Sequence, residues 1–496
     1  MRPKAAIPFA PWEPDTGLVS GKSADAKGVI SLAGGRFGPD KDFLALKAGA
    51  ALASRALGGV GVYDVESQTS RVFVGDQGHL YEIAASLPVD KSKIGGYAAN
   101  PDWAWSFEQF GPTVLATARG LSQIQSFDLD TSTVFADVAT GPGPSDGLFR
   151  VREFIFSGYT DPANGVVLKN CAFNNFTDWV PDSGTQAGTF TLPSDGGQFI
   201  GGTGGQFAIV FQEKKIHRLT YQGGAAPFQR DEIEDKRGCI GPNAFARYGE
   251  MTFFVSDDGF RVTDGNQSTS IAQGKVDKYF LSRLNYAQRT RVSLAVDVGS
   301  RILRVVFPTG GNSTPDHMMV YSMDTGQWTH DDCALDLIFE APRPGISIDD
   351  DAAILAVAGS SIIDEVAIPI NSSVWLESRK QIMSVANTGE VGTFAGSNRA
   401  ATIETGYGEV MPGRKGFVSE VWPITDANTC SAIVTTKLSR LGDSEAQTSI
   451  SAMNTVGFCP LVVEARFLKA QIQIPSATDW TEISGITTDA GVSGEL

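Results

Sequence analysis

Basic residues are in short supply in this chain, and the shortage argues against one class of function. The sequence has 40 Lys and Arg against 56 Asp and Glu, a formal net charge of −16 over 496 residues. Proteins that hold nucleic acid through its phosphates need a basic patch, and no Lys/Arg-rich block is present. The acidic balance suits a soluble protein, or a surface along which a polyanion slides without sticking, and charge alone does not separate the two.

Cysteine and histidine are scarce as well, with five and four residues. The cysteines are widely spaced, odd in number and without a CxxC pair, which argues against a disulfide framework or a structural zinc site. We therefore expect buried free thiols, in keeping with synthesis in a reducing cytoplasm. Among the scattered histidines, His217 lies inside an apolar strand pattern, where a structural role is favoured over metal ligation.

Long apolar runs are missing. None approaches the ~20 residues that cross a bilayer, so we expect no membrane-spanning segment. The first fifteen residues, MRPKAAIPFAPWEPD, are interrupted by prolines and lack a continuous apolar core, which argues against a signal peptide. Glycine and proline are plentiful instead, at 55 and 24 residues. This heavy use of turn residues suits a fold of many short strands.

The most regular stretch is 196–265, which contains two units built alike. The first has apolar runs at 207–211 and 216–221, and the second has them at 251–255 and 260–263. β-Branched and aromatic runs bounded by Asp-Gly and Gly-Gly are hairpin signals. Two hairpins at a period of ~40–45 residues indicate the blades of a propeller.

Comparable units recur along much of the chain and define the predicted architecture. We count six or seven from about residue 55 to about residue 370, interrupted by a short amphipathic helix predicted at 276–284. Later segments alternate apolar and polar residues, as in a small antiparallel sheet domain. The sequence thus predicts an all-β fold. It consists of an extended N-terminal arm (1–54), a β-propeller of about six to seven blades (55–375) and a smaller antiparallel β-sandwich or barrel domain (376–496).

Some short patterns invite an enzymatic interpretation, but a structural one is simpler for each. Residues 256–259 and 322–328 resemble the Asp-box turns of sialidases, although an Asp-Gly turn between strands needs only a residue that tolerates positive φ. The run Asp349-Asp350-Asp351 is typical of a solvated loop. Asp and Glu are too plentiful for one glycosidase pair to be singled out.

Other candidates are no stronger. The four glycines Gly201, Gly202, Gly204 and Gly205 follow neither phosphate-loop order, and strand-entry turns explain them better. Cys239 has no nearby His with a supporting acid. The aromatic residues of 103–107 could stack on a sugar or base, but packing within a blade is simpler. We therefore predict no catalytic, cofactor-binding or metal-binding residues, no cofactor, and a protein that is not an enzyme.

The order of motifs along the chain resembles one known family, the tail hub or nozzle proteins of short-tailed bacteriophages, also called packaged-DNA stabilisation proteins. No single motif is diagnostic, and the resemblance rests on their order over some 320 residues. The residues that carry it are Pro11-Trp12, Pro14-Asp15, Val72–Gly75, Leu80-Tyr81, Gly95–Tyr97, Trp105, Phe107, Gln109–Gly111, Arg152–Phe154, Trp179, Gly204-Gly205, Val210–Glu213, Ile216, Tyr221, Gly223, Phe228, Ile233, Gly238, Phe253-Phe254, Asp258–Phe260, Gly265, Val276-Asp277, Phe280, Val296-Asp297, Val320-Tyr321, Gly326 and Trp328.

This resemblance implies a function as well as a fold. It implies a six-fold homo-oligomeric ring below the portal and the head–tail adaptor ring, through which the genome leaves without sequence-specific binding. Tail fibres or spikes and a tip or needle protein would be further partners, the virion tail the location, and the host bacterial cytoplasm the place of synthesis. The sequence leaves two alternatives open: a carbohydrate-binding or carbohydrate-cleaving propeller for host-surface recognition, and a monomeric cellular scaffold propeller that binds peptides on one face.

Overall fold

Strands make up most of the structure. The computed structural model describes residues 4–16, 21–84, 87–163, 165–224, 226–342, 380–410, 415–437 and 447–492. Within them the one α-helix is Asp277–Arg283, as the amphipathic pattern predicts, and two short 3₁₀ helices occupy Ser194–Gly196 and Tyr286–Arg291. The predicted strands at 354–357 and 362–363 and the acidic run at 349–351 lie outside the described residues.

Antiparallel four-stranded sheets follow one another along the chain as the blades of a propeller, which confirms the all-β propeller prediction. Each is a meander whose first strand lies innermost. The strands of the first six blades are, in order, Gly58–Asp64, Thr69–Gly75, Leu80–Ala84 and Leu87–Asp90; Trp105–Phe110, Thr113–Ala118, Gln125–Asp128 and Ala136–Asp137; Gly147–Val151, Phe154–Asp161, Gly165–Asn170 and Gly188–Thr191; Phe199–Thr203, Phe207–Gln212, Ile216–Tyr221 and Phe228–Glu234; Phe245–Tyr248, Met251–Ser256, Gly259–Thr263 and Ser268–Ser270; Ser293–Asp297, Ile302–Phe307, His317–Ser322 and Gln327–Asp332.

A seventh blade closes the ring with strands from both ends of the propeller. Its inner strands are Leu335–Pro342, Lys380–Ala386 and Val391–Thr393, and its outermost strand is Leu44–Ala45. The innermost strand packs directly on blade 1, where a Cβ on Gly59 would come within 2.8 Å of the Phe339 ring. Pairing an early strand with late ones closes the ring, because the backbone hydrogen bonds of blade 7 join the two ends of the propeller segment.

The remaining strands build a smaller antiparallel domain of two sheets. One sheet contains Lys4–Pro8, Val29–Leu32, Arg36–Pro39, Gly416–Thr425, Cys459–Ala465 and Ile483–Val492, and the other contains Asp25–Lys27, Ala401–Glu404, Gly408–Glu409, Ser431–Lys437, Gln447–Ala452 and Phe467–Ile474. Buried side chains alternate along these strands, and those of both sheets join one hydrophobic cluster. That arrangement is typical of a sandwich.

The two domains are continuous at blade 6. Lys27 pairs with His330 of the outermost strand, so that the second sheet extends blade 6 into a ten-stranded sheet. Asp40 forms a bidentate ion pair with Arg304, at 2.6 and 2.7 Å. Burial raises the pKa of Asp40, but Arg304, Arg399 and the Lys41 backbone N–H together lower it by more, so the carboxyl titrates below its usual range. Shared backbone pairing and a buried ion pair make this junction stiff.

The N-terminal segment is built into both domains, which differs from the predicted arm at 1–54. The Trp12 ring packs 4.5 Å from the His330 ring, and Asp15 accepts hydrogen bonds from the backbone N–H groups of Lys278 and Tyr279 at the start of the helix. The boundary predicted at 375/376 also moves, since residues 380–393 belong to blade 7. Pairing between distant segments sets these limits, and local composition does not reveal it.

Candidate functional site

The innermost strands all run in one direction, so the propeller has two unlike faces. Parallel bridges between neighbouring blades, such as Asn243 with Ser293 and Val151 with Gly205, fix this orientation. We call the face where these strands begin the start face, and the face where they end the end face. Tight turns between the first and second strands of each blade lie on the end face.

The start face is held together across the axis. Asn243, ahead of blade 5, donates a hydrogen bond to the Leu57 carbonyl ahead of blade 1 at 3.0 Å. Arg291, ahead of blade 6, pairs with Asp102 ahead of blade 2 at 3.2 Å. Because these residues belong to blades on opposite sides of the ring, their side chains bridge the mouth of the axial cavity.

A cleft of about 600 Å³ on the start face contains a fully engaged arginine. The Arg119 guanidinium donates two hydrogen bonds to the Asp146 carboxylate, at 2.9 and 3.0 Å, and a third to Gln198. It also lies 3.4 Å from the centre of the Trp103 ring. With its charge neutralised by Asp146 and each of its three nitrogens donating a hydrogen bond, Arg119 joins blades 2, 3 and 4 in a structural role.

Below this mouth lies an axial cavity of about 320 Å³ with carboxyl groups on its wall. Burial raises the pKa of both Glu108 and Glu340 to about 7. For Glu108 the positive charge of Arg150 partly opposes that rise, and for Glu340 the Val296 backbone N–H does, donating a hydrogen bond of 3.1 Å. The cavity therefore changes charge near neutral pH.

On the end face a larger cleft of about 760 Å³ lies between blades 3, 4 and 5, next to the axial cavity. Arg150, Arg152 and Arg247 line it, and among the described residues none of the three forms an ion pair. Arg150 donates to the Gln109 carbonyl at 3.0 Å, and Arg247 donates to the Gly249 carbonyl at 2.8 Å. Glu153 is the one acidic residue lining this cleft, so its side chains carry a net positive charge.

Aromatic rings form the other wall of the same cleft. Phe154 is fully buried and packs edge-on against Phe173 at 5.6 Å, while 56% of Phe173 remains exposed. The Arg152 guanidinium lies over the Tyr221 ring at 5.1 Å. The cleft thus presents unpaired guanidinium groups beside a partly exposed aromatic surface, a combination suited to binding a ligand that has both charge and an apolar face.

The candidate glycines and aromatic residues of the sequence analysis lie at positions that differ from those predicted. Gly201 and Gly202 lie inside the innermost strand of blade 4, not in a strand-entry turn, and added Cβ atoms would meet the rings of Phe245 and Phe149 at 2.6 and 2.7 Å. They are glycines because neighbouring blades approach closely there. Trp103 precedes the strand that was expected to contain it, and the strand begins at Trp105.

The remaining candidates have structural roles. The turn at 256–259 joins two strands of blade 5, and its Asp258 pairs with Arg237 at 2.7 Å and Arg261 at 3.0 Å. Cys239 is buried and free, and burial raises its thiol pKa to about 12, which disfavours the reactive thiolate. His217 contacts Gln212 at 2.9 Å, and burial lowers its pKa to about 4.

Sequence reasoning missed the end-face arginines. The first of the two turn residues in blades 2 and 5 is glycine, Gly111 and Gly249, with φ of +58° and +62°. At the same position in blade 3 stands Arg152, with φ of +51°. A side chain in this left-handed conformation is unfavourable, and an Arg-Glu pair between two apolar strands is the signal that could have identified the site.

Comparisons with known proteins add little to the propeller assignment. No family model matches the chain, and no curated protein matches it. A solved extracellular domain of a putative hybrid two-component system from B. thetaiotaomicron aligns at 11% identity over 77% of this chain and 41% of its own, with a TM-score of 0.42. This chain therefore spans about two fifths of that domain's length.

Two further structures match at a similar level. The Cps50 (Swd1) β-propeller domain of Myceliophteria thermophila aligns at 9% identity over 72% of this chain and 98% of its own, with a TM-score of 0.39. The computationally designed Ika8 protein aligns at 12% identity over 75% and 94%, with a TM-score of 0.37. Such distant likenesses carry no argument about function, and the propeller class rests on the strand pairing of this chain itself.

Neither a metal-binding cluster nor a membrane-spanning helix occurs among the described residues. They contain no group of three or more His, Cys, Asp and Glu that could hold a metal ion. None of their helices has the length and apolar character needed to cross a membrane.

Proposed function

We propose that the chain is a structural protein of a short-tailed phage tail, the nozzle or hub. Copies would form a ring below the portal and the adaptor ring that retains packaged DNA and guides its ejection. The observation that carries this proposal is one corner of the C-terminal domain, residues 447–465, where an edge of each sheet is exposed. The family resemblance supplies the six-fold count and the partners, including fibres or spikes and a tip protein.

The corner has the features of a contact between copies. Within the described residues, strands Gln447–Ala452 and Cys459–Ala465 each pair on one side only. Ile450, Val456 and Val462 are 71%, 68% and 75% exposed on or between them. Free strand edges and exposed aliphatic residues favour association. If the corner meets a different surface of the next copy, the contact repeats head to tail, and it forms a ring when the rotation between copies closes.

The charge of the chain is compatible with this role. A lining rich in Lys and Arg would retain DNA through its phosphates, and the chain has a net charge of −16. We expect an acidic or neutral lining in the assembled ring. In the same proposal the propeller has no catalytic task, and the stiff junction at blade 6 supplies a rigid wall.

The test is assembly of the purified chain, alone and mixed with virion necks that lack the tail tip, measured by mass photometry and negative-stain imaging. The expected result is six-fold rings with an open channel, free or on the necks. Val462→Glu would weaken assembly, whereas Val65→Glu would not, although Val65 is equally exposed at 75% in blade 1. A wild-type monomer that never joins the necks would overturn the proposal.

A second candidate, a carbohydrate-cleaving propeller, is favoured by the two carboxyl groups of the axial cavity. Glycosidases use a protonated and an ionised carboxyl across the sugar, and Glu108 and Glu340 both lie on the wall of this cavity. Release of reducing sugar by the isolated chain, abolished by Glu108→Gln, would support this candidate. Equal release by the variant would contradict it.

A further inference from the structure

The end-face cleft contains cationic groups that the protein itself leaves without an anionic partner. Many of the described arginines pair with carboxylates, as Arg119, Arg261 and Arg304 do. Arg150 and Arg152 line the cleft without such a partner among the described residues. An anion bound in the cleft would supply the partner that these arginines lack.

One of these arginines is held firmly in place. An added Cβ on Gly205 would come within 2.5 to 3.0 Å of the Arg247 guanidinium, so that this side chain lies flat against the blade 4 turn. Its Nε donates to the Gly249 carbonyl and its Nη1 to the Phe207 carbonyl, while Nη2 makes no hydrogen bond within the described residues. Burial lowers the Arg247 pKa, which reflects partial loss of water around the charge.

A second arginine, Arg152, occupies a turn position whose backbone conformation favours glycine. Blades 2 and 5 have glycine at the corresponding turn position, yet blade 3 keeps Arg152 with φ of +51°. An unfavourable backbone conformation that persists at a cleft suggests a functional requirement for that side chain. The Arg152 guanidinium also lies over the Tyr221 ring, between the other arginines of the cleft and its aromatic wall.

From this geometry we propose that the cleft binds a small ligand that joins an oxyanion to a sugar ring, that is, a carboxylated or phosphorylated sugar. Arg152 and Arg247 contact the oxyanion, since guanidinium groups match the planar, multidentate geometry of carboxylate and phosphate. The exposed part of Phe173 packs against the apolar face of the ring. A volume of about 760 Å³ accommodates a ligand of this size. The inference does not depend on ring assembly.

The test is isothermal titration calorimetry of the full chain with three sugars that share one ring: glucose, glucuronate and glucose 6-phosphate. Glucuronate or glucose 6-phosphate should bind at least tenfold more tightly than glucose, and the stronger of the two identifies carboxylate or phosphate as the natural oxyanion. Inorganic phosphate should bind at least tenfold more weakly than glucose 6-phosphate, because it does not contact Phe173. No heat from either charged sugar would overturn the proposal, and so would equal affinity for inorganic phosphate.

Two single substitutions test the location of the site and are expected to leave the fold intact. Arg152→Gly places in blade 3 the residue found in blades 2 and 5, and should weaken binding at least tenfold with thermal stability retained. Arg301→Gly is the matched control, since Arg301 also has positive φ, +56°, in a blade 6 turn on the same face, but pairs with Asp324 outside the cleft. Equal losses in the two variants, or no loss in Arg152→Gly, would place binding elsewhere and refute the assignment.

Discussion

The two faces of the propeller both have arginine in a cleft, but that arginine is paired with a carboxylate on the start face and, within the described residues, unpaired on the end face. Both have a cleft of several hundred Å³ lined by arginine, about 600 Å³ on the start face and about 760 Å³ on the end face. On the start face Arg119 is saturated by Asp146 and Gln198 and joins three blades. On the end face Arg150 and Arg152 have no carboxylate partner among the described residues. The contrast teaches that pairing, not residue type, separates a structural arginine from one available to a ligand.

The largest expected effect comes from breaking the start-face pair. Asp146→Ala removes the carboxylate partner of Arg119 and leaves its guanidinium charge uncompensated in a mostly buried position, which typically costs about 3–5 kcal/mol. The free energy of unfolding, from urea titration followed by tryptophan fluorescence, measures the loss. Val65→Ala is the surface control. A change below about 1 kcal/mol would contradict a structural role for the pair.

A smaller effect, with a defined pH dependence, is expected in the axial cavity between the faces. The pKa of Glu108 is raised from its ordinary value to about 7, so the folded state binds more protons than the unfolded chain between about pH 4.5 and 7. Stability from this group is present below that window and is lost as pH rises through it. Glu108→Gln should therefore stabilise the protein by roughly 1–2 kcal/mol at pH 8 and have little effect at pH 4, where the glutamate is already neutral.

Urea titrations of wild type and Glu108→Gln at several pH values test this expectation. Glu66→Gln, at an exposed turn of blade 1, serves as the charge-matched control. A stabilisation by Glu108→Gln that stays constant from pH 4 to pH 8 would show that the effect does not arise from titration of this carboxyl group.

The bridge across the axis should contribute less. Asn243→Ala removes one hydrogen bond to the Leu57 carbonyl and should cost about 1 kcal/mol. It should also speed hydrogen exchange in the segments ahead of blades 1 and 5, measured by mass spectrometry, while the end-face turns keep their wild-type rates. Faster exchange in all seven blades would mean that the bond supports the whole ring and not one face.

The smallest effect on stability is expected for Arg152→Gly. The change relieves a left-handed arginine, a gain of about 1 kcal/mol, but adds unfolded-chain entropy of about the same size. The unfolding free energy should therefore stay within about 1 kcal/mol of wild type, as thermal and urea denaturation can determine. A loss of several kcal/mol would assign Arg152 a structural task like that of Arg119.

The blades were predictable because hairpins are local. Apolar runs and Asp-Gly turns near residues 207–221 and 251–263 are enough to identify blades 4 and 5, and the structure confirms both. Blade 7 could not be predicted in the same way, because it depends on pairing between segments that are distant in sequence. Its outermost strand, Leu44–Ala45, has two residues and pairs with Val391–Thr393, far away in sequence. No local pattern encodes such a pairing, and the predicted domain limits were wrong at both ends of the propeller as a result.

The end-face cleft could not be predicted from the sequence for a different reason. Its arginines come from turns of three blades, and each one alone is an ordinary exposed residue. What distinguishes them is that they line one cleft without a carboxylate partner within the described residues, and sequence spacing shows neither the cleft nor the ion pairing. The backbone conformation of Arg152 is the one feature with a trace in the sequence, since glycine is the usual residue at that turn position.

The contrast between the faces is tested most directly by hydrogen–deuterium exchange of the full chain with and without glucuronate or glucose 6-phosphate, read peptide by peptide. The account predicts slower exchange confined to the end-face turns at 150–153, 204–206 and 247–249, with the start-face segments at 98–104 and 119–122 unchanged. Slower exchange at the start-face segments, or no change anywhere at saturating ligand, would contradict it.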